Sequence, residues 1–472
     1  MNKAFKYIYS ALILAALITP AALMPFFSSD DVIGKEEKAE LPSLFDENGL
    51  NMKFSDNFDL WFSQKLPFRS TIISAKNKID SGILGRSSND VIVGKQGQLF
   101  YSGEIDSYNG KTMSERRLHN TARTLYLMQS FCKNGGAEFR FMCVPNKSTV
   151  YSEYMPSGYI KAEVTDHTRL MSLLEKMGVS CVNVREMLFQ HKDDEEELYL
   201  RDDSHWTNYG AALGFDEMRV SLGHESSERL AEHEVRCDWQ GDLAAMLYPA
   251  FPQYCEQYYF NIPQSQAHFM KPRQPSMTND EIMSNITGDS ESMDTIIQTL
   301  NRKGQGKIYV SRDSFFRALL PYTINTYGSA YITRFRSFDL RRLDEEGFDE
   351  VVYEAAERNI VKITDEAPMI YSLPCDKPAS PLRGTEPETM KKVKGSTDTV
   401  ICGTVSQQEL KTCDNIYISL KKNGEEFLYE ALPCADRESL GTDTVPDNSF
   451  SARFRSEELE GAEITVLLAE DR

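Results

Sequence analysis

The stretch Leu198–Gly210, LYLRDDSHWTNYG, decides how the chain is read. Asp203 and His205 stand two apart, so in an extended segment both side chains leave one face. A carboxylate there holds one imidazole nitrogen while the other faces a reactant, which fixes an acid–base histidine in its useful tautomer. Thr207 reads as an N-cap. Behind it Ala211, Phe215, Met218 and Leu222 recur at i, i+4, i+7 and i+11, the buried stripe of a helix. The histidine is therefore expected just outside a helix N-terminus, at the edge of the packed body.

Working outward, Val91–Val93 and Gln98–Tyr101 read as two short strands joined by a Gly-containing turn. A helix from Ser114 to about Lys133 precedes the strand Phe139–Val144 (FRFMCV), which Pro145-Asn146-Lys147-Ser148 ends. A second helix, about Thr165–Met177, is stopped by Gly178, and a strand follows over Val179–Val184. Strands alternating with helices at this spacing predict an α/β domain with a mostly parallel sheet. Ligands gather at the carboxyl ends of such strands, where Asn146 and Lys147 stand. They read either as substrate or oxyanion contacts or as solvated polar side chains on a loop.

A serine returns at Lys307–Tyr322, KIYVSRDSFFRALLPY. Ile308–Val310 is a predicted strand and Phe315–Leu320 a short helix ended by Pro321. Ser314 stands at their junction, where free backbone N–H groups can steady a developing oxyanion. A hydroxyl is a weak nucleophile at neutral pH and needs a base. His205 with Asp203 would supply one, since triads occur in several chain orders. Asp313 reads as a structural hydrogen-bonder.

At the N-terminus Tyr7–Ser29 carries no charge, with Lys3 and Lys6 before it and Asp30 and Asp31 after. This fits the ~20 apolar residues that cross a bilayer, with the N-terminus inside. A cleaved signal peptide is the competing reading. Either places the rest of the chain outside the cytoplasm. A net charge of −19 argues against nucleic acid and against docking on an anionic membrane surface. The nine cysteines are scattered, with no C-x-x-C, so neither a zinc site nor a disulfide scaffold is indicated, although Cys413 and Cys434 could be bridged. No metal-ligand cluster and no cofactor motif is seen.

The expected organisation is an anchor over 1–29, a linker over 30–53, an α/β domain over 54–364, a linker over 365–395 and a small β module over 396–472. In the module Thr399–Thr404, Asn415–Leu420, Glu426–Leu432, Ser449–Phe454 and Glu463–Leu468 read as strands of a sandwich, with Asn423-Gly424 as a type I′ hairpin turn. Residues 224–305, with Gly241-Asp242-Leu243 and many aromatics, resist placement.

RDDSHWTNYGA together with IYVSRDSF resembles the SGNH-hydrolase-like alginate O-acetyltransferases of the AlgJ/AlgX type and the related bacterial DHHW proteins. FSDNFDLWFSQKLPFRS, VIVGKQGQLFY, VPNKSTVYSEYMP, GDLAAML and FDEVVYEAAERNI fall in the family's order, so the likeness spans roughly residues 54–362. It implies Ser314 as nucleophile, His205 as base and then acid, and Asp203 as its orienter, with Asn146, Lys147 and Arg358 near the pocket. Many SGNH enzymes have Gly-Asp-Ser at the nucleophile, whereas this chain has Arg312-Asp313-Ser314. The arginine would narrow the approach or offer a cation to an anionic substrate. The β module's placement resembles the carbohydrate-binding modules of some of these acyltransferases; a stabilising or partner-binding domain is the other reading.

The expected protein is thus an extracytoplasmic O-acetyltransferase of a cell-surface or secreted polysaccharide, held to the cell membrane by a single N-terminal helix. Acetyl donors such as acetyl-CoA are cytoplasmic, so the resemblance implies a multi-pass membrane acyltransferase partner. A carbohydrate acetylesterase with the same triad, and a non-catalytic polysaccharide-binding or assembly protein, are the alternatives.

Overall fold

The structure is a computed structural model. It describes residues 38–46, 49–82, 90–111, 113–226, 233–260, 268–269, 296–334, 338–365, 367–395, 397–411, 413–435, 437–442 and 444–470, with scattered positions before 38. The stretch Tyr7–Ser29 lies only partly within the described residues, and among those described no helix is long and apolar enough to cross a membrane.

A seven-stranded mixed sheet organises the larger domain, in the order Cys181–Val182, Glu138–Val144, Glu350–Ala356, Lys307–Arg312, Ser329–Arg334, Ile297–Leu300, His268–Phe269. The first five are parallel. Ile297–Leu300 and then His268–Phe269 each pair antiparallel with the preceding strand. Glu350–Ala356 is buried along its whole length, as befits a central parallel strand covered on both faces.

The two faces are packed by the helices that the sequence period marks out. Phe139, Phe141 and Cys143 point to one side, into a core with Leu118, Leu125 and Met128 of helix Glu115–Asn134 and Leu170 and Leu174 of helix Asp166–Met177. Met142 and Val144 point to the other, against Ala211, Phe215 and Met218 of helix Asn208–Ser221. Each helix begins where its cap residue dictates. Ser114, Thr165 and Thr207 accept the N–H of Arg117, Thr168 and Gly210 respectively, and Gly178 closes its helix at φ 70°.

Two local expectations are corrected. The strand read over Val179–Val184 is only Cys181–Val182, because Val184 opens a helix to Gln190. Pro321 does not end a helix; it sits in the first turn of Leu320–Thr326, where its missing N–H has no intrahelical partner to lose. The strand Glu350–Ala356 is followed directly by a 3-10 helix, Glu357–Lys362.

The C-terminal residues form two small sheets, Leu382–Gly384/Glu463–Glu470/Cys413–Lys422/Glu425–Glu430 and Thr389–Lys394/Asp398–Thr404/Ser449–Arg455. One core joins them, with Ile401, Phe450 and Phe454 facing Ile418, Tyr429 and Leu468. Asn423 and Gly424 both have positive φ, 55° and 85°, as a type I′ turn requires. Part of the segment read as a linker, 365–395, supplies strands to both sheets, because Thr389–Lys394 finds a partner in Asp398–Thr404. The module is fastened to helix Glu115–Asn134, where Arg123 forks onto both carboxylate oxygens of Glu430. Cys413 and Cys434 are not bridged: no disulfide joins any of the nine cysteines, and these two lie against Arg383 Nη2 (3.5 Å) and Thr124 Oγ1 (3.7 Å).

Candidate active site

Arg201–His205 does not run extended as the two-residue spacing suggested. Leu200 N–H donates to His205 O (3.2 Å) and Thr207 N–H to Leu198 O (2.9 Å), so the segment folds back into a tight loop. Asp203 Oδ1 accepts the backbone N–H of His205 (2.9 Å) and also contacts ring Nδ1 (2.7 Å). The pair therefore meets through a local side chain–backbone turn rather than along a strand face. With Nδ1 so occupied, Nε2 points outward and lies 2.8 Å from Ser314 Oγ. Asp203 is almost wholly buried, whereas the His205 side chain keeps 19% exposure.

Ser314 follows the carboxyl end of strand Lys307–Arg312 and immediately precedes the short 3-10 helix Phe315–Leu319, its side chain making no cap bond. Its position is fixed by its neighbours. Asp313 accepts N–H groups from Phe315 (2.8 Å), Ala356 (2.7 Å) and Asn359 Nδ2 (2.7 Å), pinning the junction to the end of the adjacent strand. The Phe315 N–H is thereby used and is not free for an oxyanion. Burial opposes the Asp313 charge, but Arg358 and these bonds hold its carboxyl below the usual range. Trp206 Nε1 donates to Phe315 O (3.0 Å), and the His205 ring packs 4.8 Å from that of Phe315.

The second oxygen of Asp203 accepts from Trp239 Nε1 (3.0 Å) and Asp242 N–H (3.1 Å). Burial alone would raise this carboxyl, but His205 and the bonds to Trp239 and Asp242 keep it well below the ordinary carboxylate range. Asp242 is shifted the opposite way, raised by burial and by the charge of Asp203. Asp242 takes Ser204 N–H and Oγ–H (both 2.7 Å) and stands 3.6 Å from His205 Nδ1. The donor atoms of Asp203, His205 and Asp242 lie within 4.8 Å of one another, the spacing of a metal site. Here they already satisfy one another and Ser204, so the trio reads as an orienting cluster.

Trp239 and Asp242 are the functional residues that motif reasoning missed. The segment GDLAAML follows the family order, but nothing in its sequence says that it clamps the Asp203 loop. Gly241 permits the approach: a Cβ there would lie 2.1 Å from Asp202 O. Gly241→Ala is expected to cost about 2–3 kcal/mol in urea unfolding and to lower turnover by shifting Asp203.

Two predicted site residues are placed elsewhere. Lys147 is fully buried, and its ammonium donates to the carbonyls of Leu99 (2.8 Å), Leu200 (2.6 Å), Arg201 (2.8 Å) and Asp203 (3.3 Å). It staples the Asp203 loop from beneath instead of facing the surface, and burial lowers its pKa to about 8. Lys147→Met strands those carbonyls, and a loss of about 3 kcal/mol or more is expected by chemical denaturation. Arg312 is buried at 1% exposure with Nη1 on Asp313 O (3.1 Å), so it neither narrows the approach nor offers a cation at the surface.

The other two lie nearer. The Arg358 guanidinium stands 4.9 Å from the Phe315 ring centroid and donates to Glu104 (3.3 Å), while its N–H donates to Asn146 Oδ1 (3.1 Å).

Residues 91–282 match the SGNH hydrolase-like domain of the acetyltransferase AlgX. The AlgX-like stretch holds Asp203, His205 and Asp242; Ser314 lies beyond it. Among solved structures, a DHHW family protein from Eubacterium siraeum is 18% identical at a TM-score of 0.40, covering 57% of this chain and 95% of its own. The O-acetyltransferase domain of Pseudomonas putida AlgJ is 16% identical at 0.39, covering 57% and 92%. Bacillus cereus PatB1 with a sulfonyl adduct is 17% identical at 0.45, covering 58% and 97%. No curated protein matches the chain.

Proposed function

We propose that the chain is an extracytoplasmic O-acetyltransferase that modifies hydroxyls of a cell-surface or secreted polysaccharide through an acetyl-serine. The observation that carries this reading is the relay Asp203–His205–Ser314, 2.7 and 2.8 Å between its atoms. It stands at the carboxyl edge of a sheet whose domain is similar to that of the acetyltransferase AlgX.

In the first half-reaction Ser314 Oγ attacks the acetyl carbonyl of an ester donor and its proton passes to His205 Nε2. The C–O bond to the leaving alcohol then breaks, and that alcohol takes the proton from His205. In the second, a sugar hydroxyl loses its proton to His205 as its oxygen attacks the acetyl-serine, and Ser314 Oγ departs with that proton. Asp203 stays ionised throughout and steadies the imidazolium. In this reading the amide N–H of Ser314 and the side-chain amide of Asn146 donate to the developing oxyanion. Because Arg358 N–H fixes Asn146 Oδ1, the Asn146 NH₂ is the end turned away from that bond. Arg358 supplies the nearby positive charge.

Tyr7–Ser29 anchors the chain in this reading, with the domain outside the cytoplasm, and a multi-pass membrane partner delivers the acetyl group. The purified chain is supplied with an acetyl ester, with and without oligosaccharide. Acetylated oligosaccharide is the expected product. Acetate release that sugar leaves unchanged identifies an acetylesterase instead. If Ser314→Ala leaves surface acetylation untouched while removal of 396–472 disturbs glycan binding, the chain is an assembly protein. Co-purification that recovers no integral membrane acyltransferase counts against the partner.

A further inference from the structure

Beside the edge strand Cys181–Val182, helices Asp166–Met177 and Val184–Gln190 border an open cavity of about 530 Å³, within the range of small-ligand sites. His167 lines it at 5% exposure, and among the described residues nothing hydrogen-bonds its imidazole. Burial, reinforced by the charge of Arg185, lowers its pKa to about 4, so the ring is neutral and offers one N–H. With no protein partner among the described residues, that N–H is left to whatever occupies the cavity.

Arg185 lines the same cavity, half-buried, with its guanidinium 5.5 Å from the Phe189 ring centroid and no carboxylate at ion-pair distance among the described residues. Its acidic neighbours are otherwise engaged. Glu357 accepts Asn146 N–H (2.9 Å) and Thr149 Oγ–H (2.6 Å), and burial raises its pKa. Glu186 is on the lining but exposed, so water screens it. Lys161 and Lys192 add further positive charge: burial, Arg185 and Lys192 all lower the Lys161 pKa, and Lys192 pairs with Glu153 (2.9 Å). A chain of net charge −19 thus keeps a cation without an ion-pair partner among the described residues, partly offset by the field of buried Glu357, and an unused donor on one wall.

We propose that this cavity binds a small carboxylate, with the planar fork of Arg185 on its oxygens, the His167 N–H completing the set and Phe189 supplying an apolar wall. The site is separate from the Ser314 relay and stands whether or not acetyl transfer does. Isothermal titration of the full chain with acetate, galacturonate, galactose and inorganic phosphate, at matched ionic strength, tests it. One carboxylate per chain is expected, with galactose silent; the acetate and galacturonate arms tell a free small acid from a sugar acid. Arg185→Gln and His167→Gln should each weaken binding on the order of tenfold, and Arg185→Gln should leave acetyl-ester turnover unchanged. Absence of carboxylate binding, affinity unaltered by Arg185→Gln, or binding of phosphate alone would overturn the assignment.

Discussion

Ser314→Ala is expected to lower acetyl-ester turnover by roughly 10⁴-fold or more while the protein stays folded. The hydroxyl's partner is His205 Nε2, so its removal strands no buried group and costs under about 1 kcal/mol. The chemistry has no substitute: without Oγ the donor can be attacked only by water, and no acetyl-serine forms. His205→Ala should be as severe, and the double variant no worse than either alone, because the two side chains act as one unit. Steady-state turnover, with circular dichroism to confirm folding, checks all three. Activity of Ser314→Ala within tenfold of the parent would remove the serine from the reaction.

Asp203→Asn is expected to be nearly as damaging, with turnover down by about 10³–10⁴-fold, although the two side chains are almost isosteric. Asp203 faces four donors: His205 N–H and Nδ1 on one oxygen, and Trp239 Nε1 and Asp242 N–H on the other. Only an ionised carboxylate accepts from all four. An asparagine must turn its NH₂ toward one pair. Turned toward His205, it forces the tautomer that carries the proton on Nε2, which then cannot accept from Ser314.

The same substitution has a signature in stability. The native carboxyl of Asp203 is held well below its ordinary range. A depressed folded-state pKa contributes stability that is present above the unfolded value and lost as pH falls through the folded one. The gap between parent and Asp203→Asn should therefore be widest near neutral pH and close in acid. Urea unfolding at about pH 7 and about pH 2 reads it, and a gap that widens in acid would contradict the assignment.

The sheet was legible because its strands are bounded by strong signals. FRFMCV is followed by a proline, Gly178 takes the left-handed conformation, and Asn-Gly at 423–424 forms the hairpin. Asp203, His205 and Ser314 were legible from residue types and family order; the structure brings them within hydrogen-bond distance by a route the spacing did not suggest. Lys147 and Arg312 were misread for one reason. A cation at a strand end is usually solvated, and only the folded chain shows four carbonyls closing round an ammonium. Trp239 and Asp242 were illegible because they reach Asp203 across more than thirty residues through a hairpin, His233–Trp239 with Cys255–Phe260, that carries little period of its own. The misjudged linker followed from composition: Thr389–Lys394 is exposed along its length, so nothing apolar advertised a strand.

The central claim is that Ser314 carries the acetyl group. Intact-mass measurement after brief exposure to an activated acetyl ester, followed by peptide fragmentation, tests it most directly. The account predicts one added acetyl on the peptide holding Ser314, absent in Ser314→Ala and discharged when an acceptor oligosaccharide is added. A folded protein that stays unmodified, or an acetyl that settles on another residue while turnover proceeds, would contradict it.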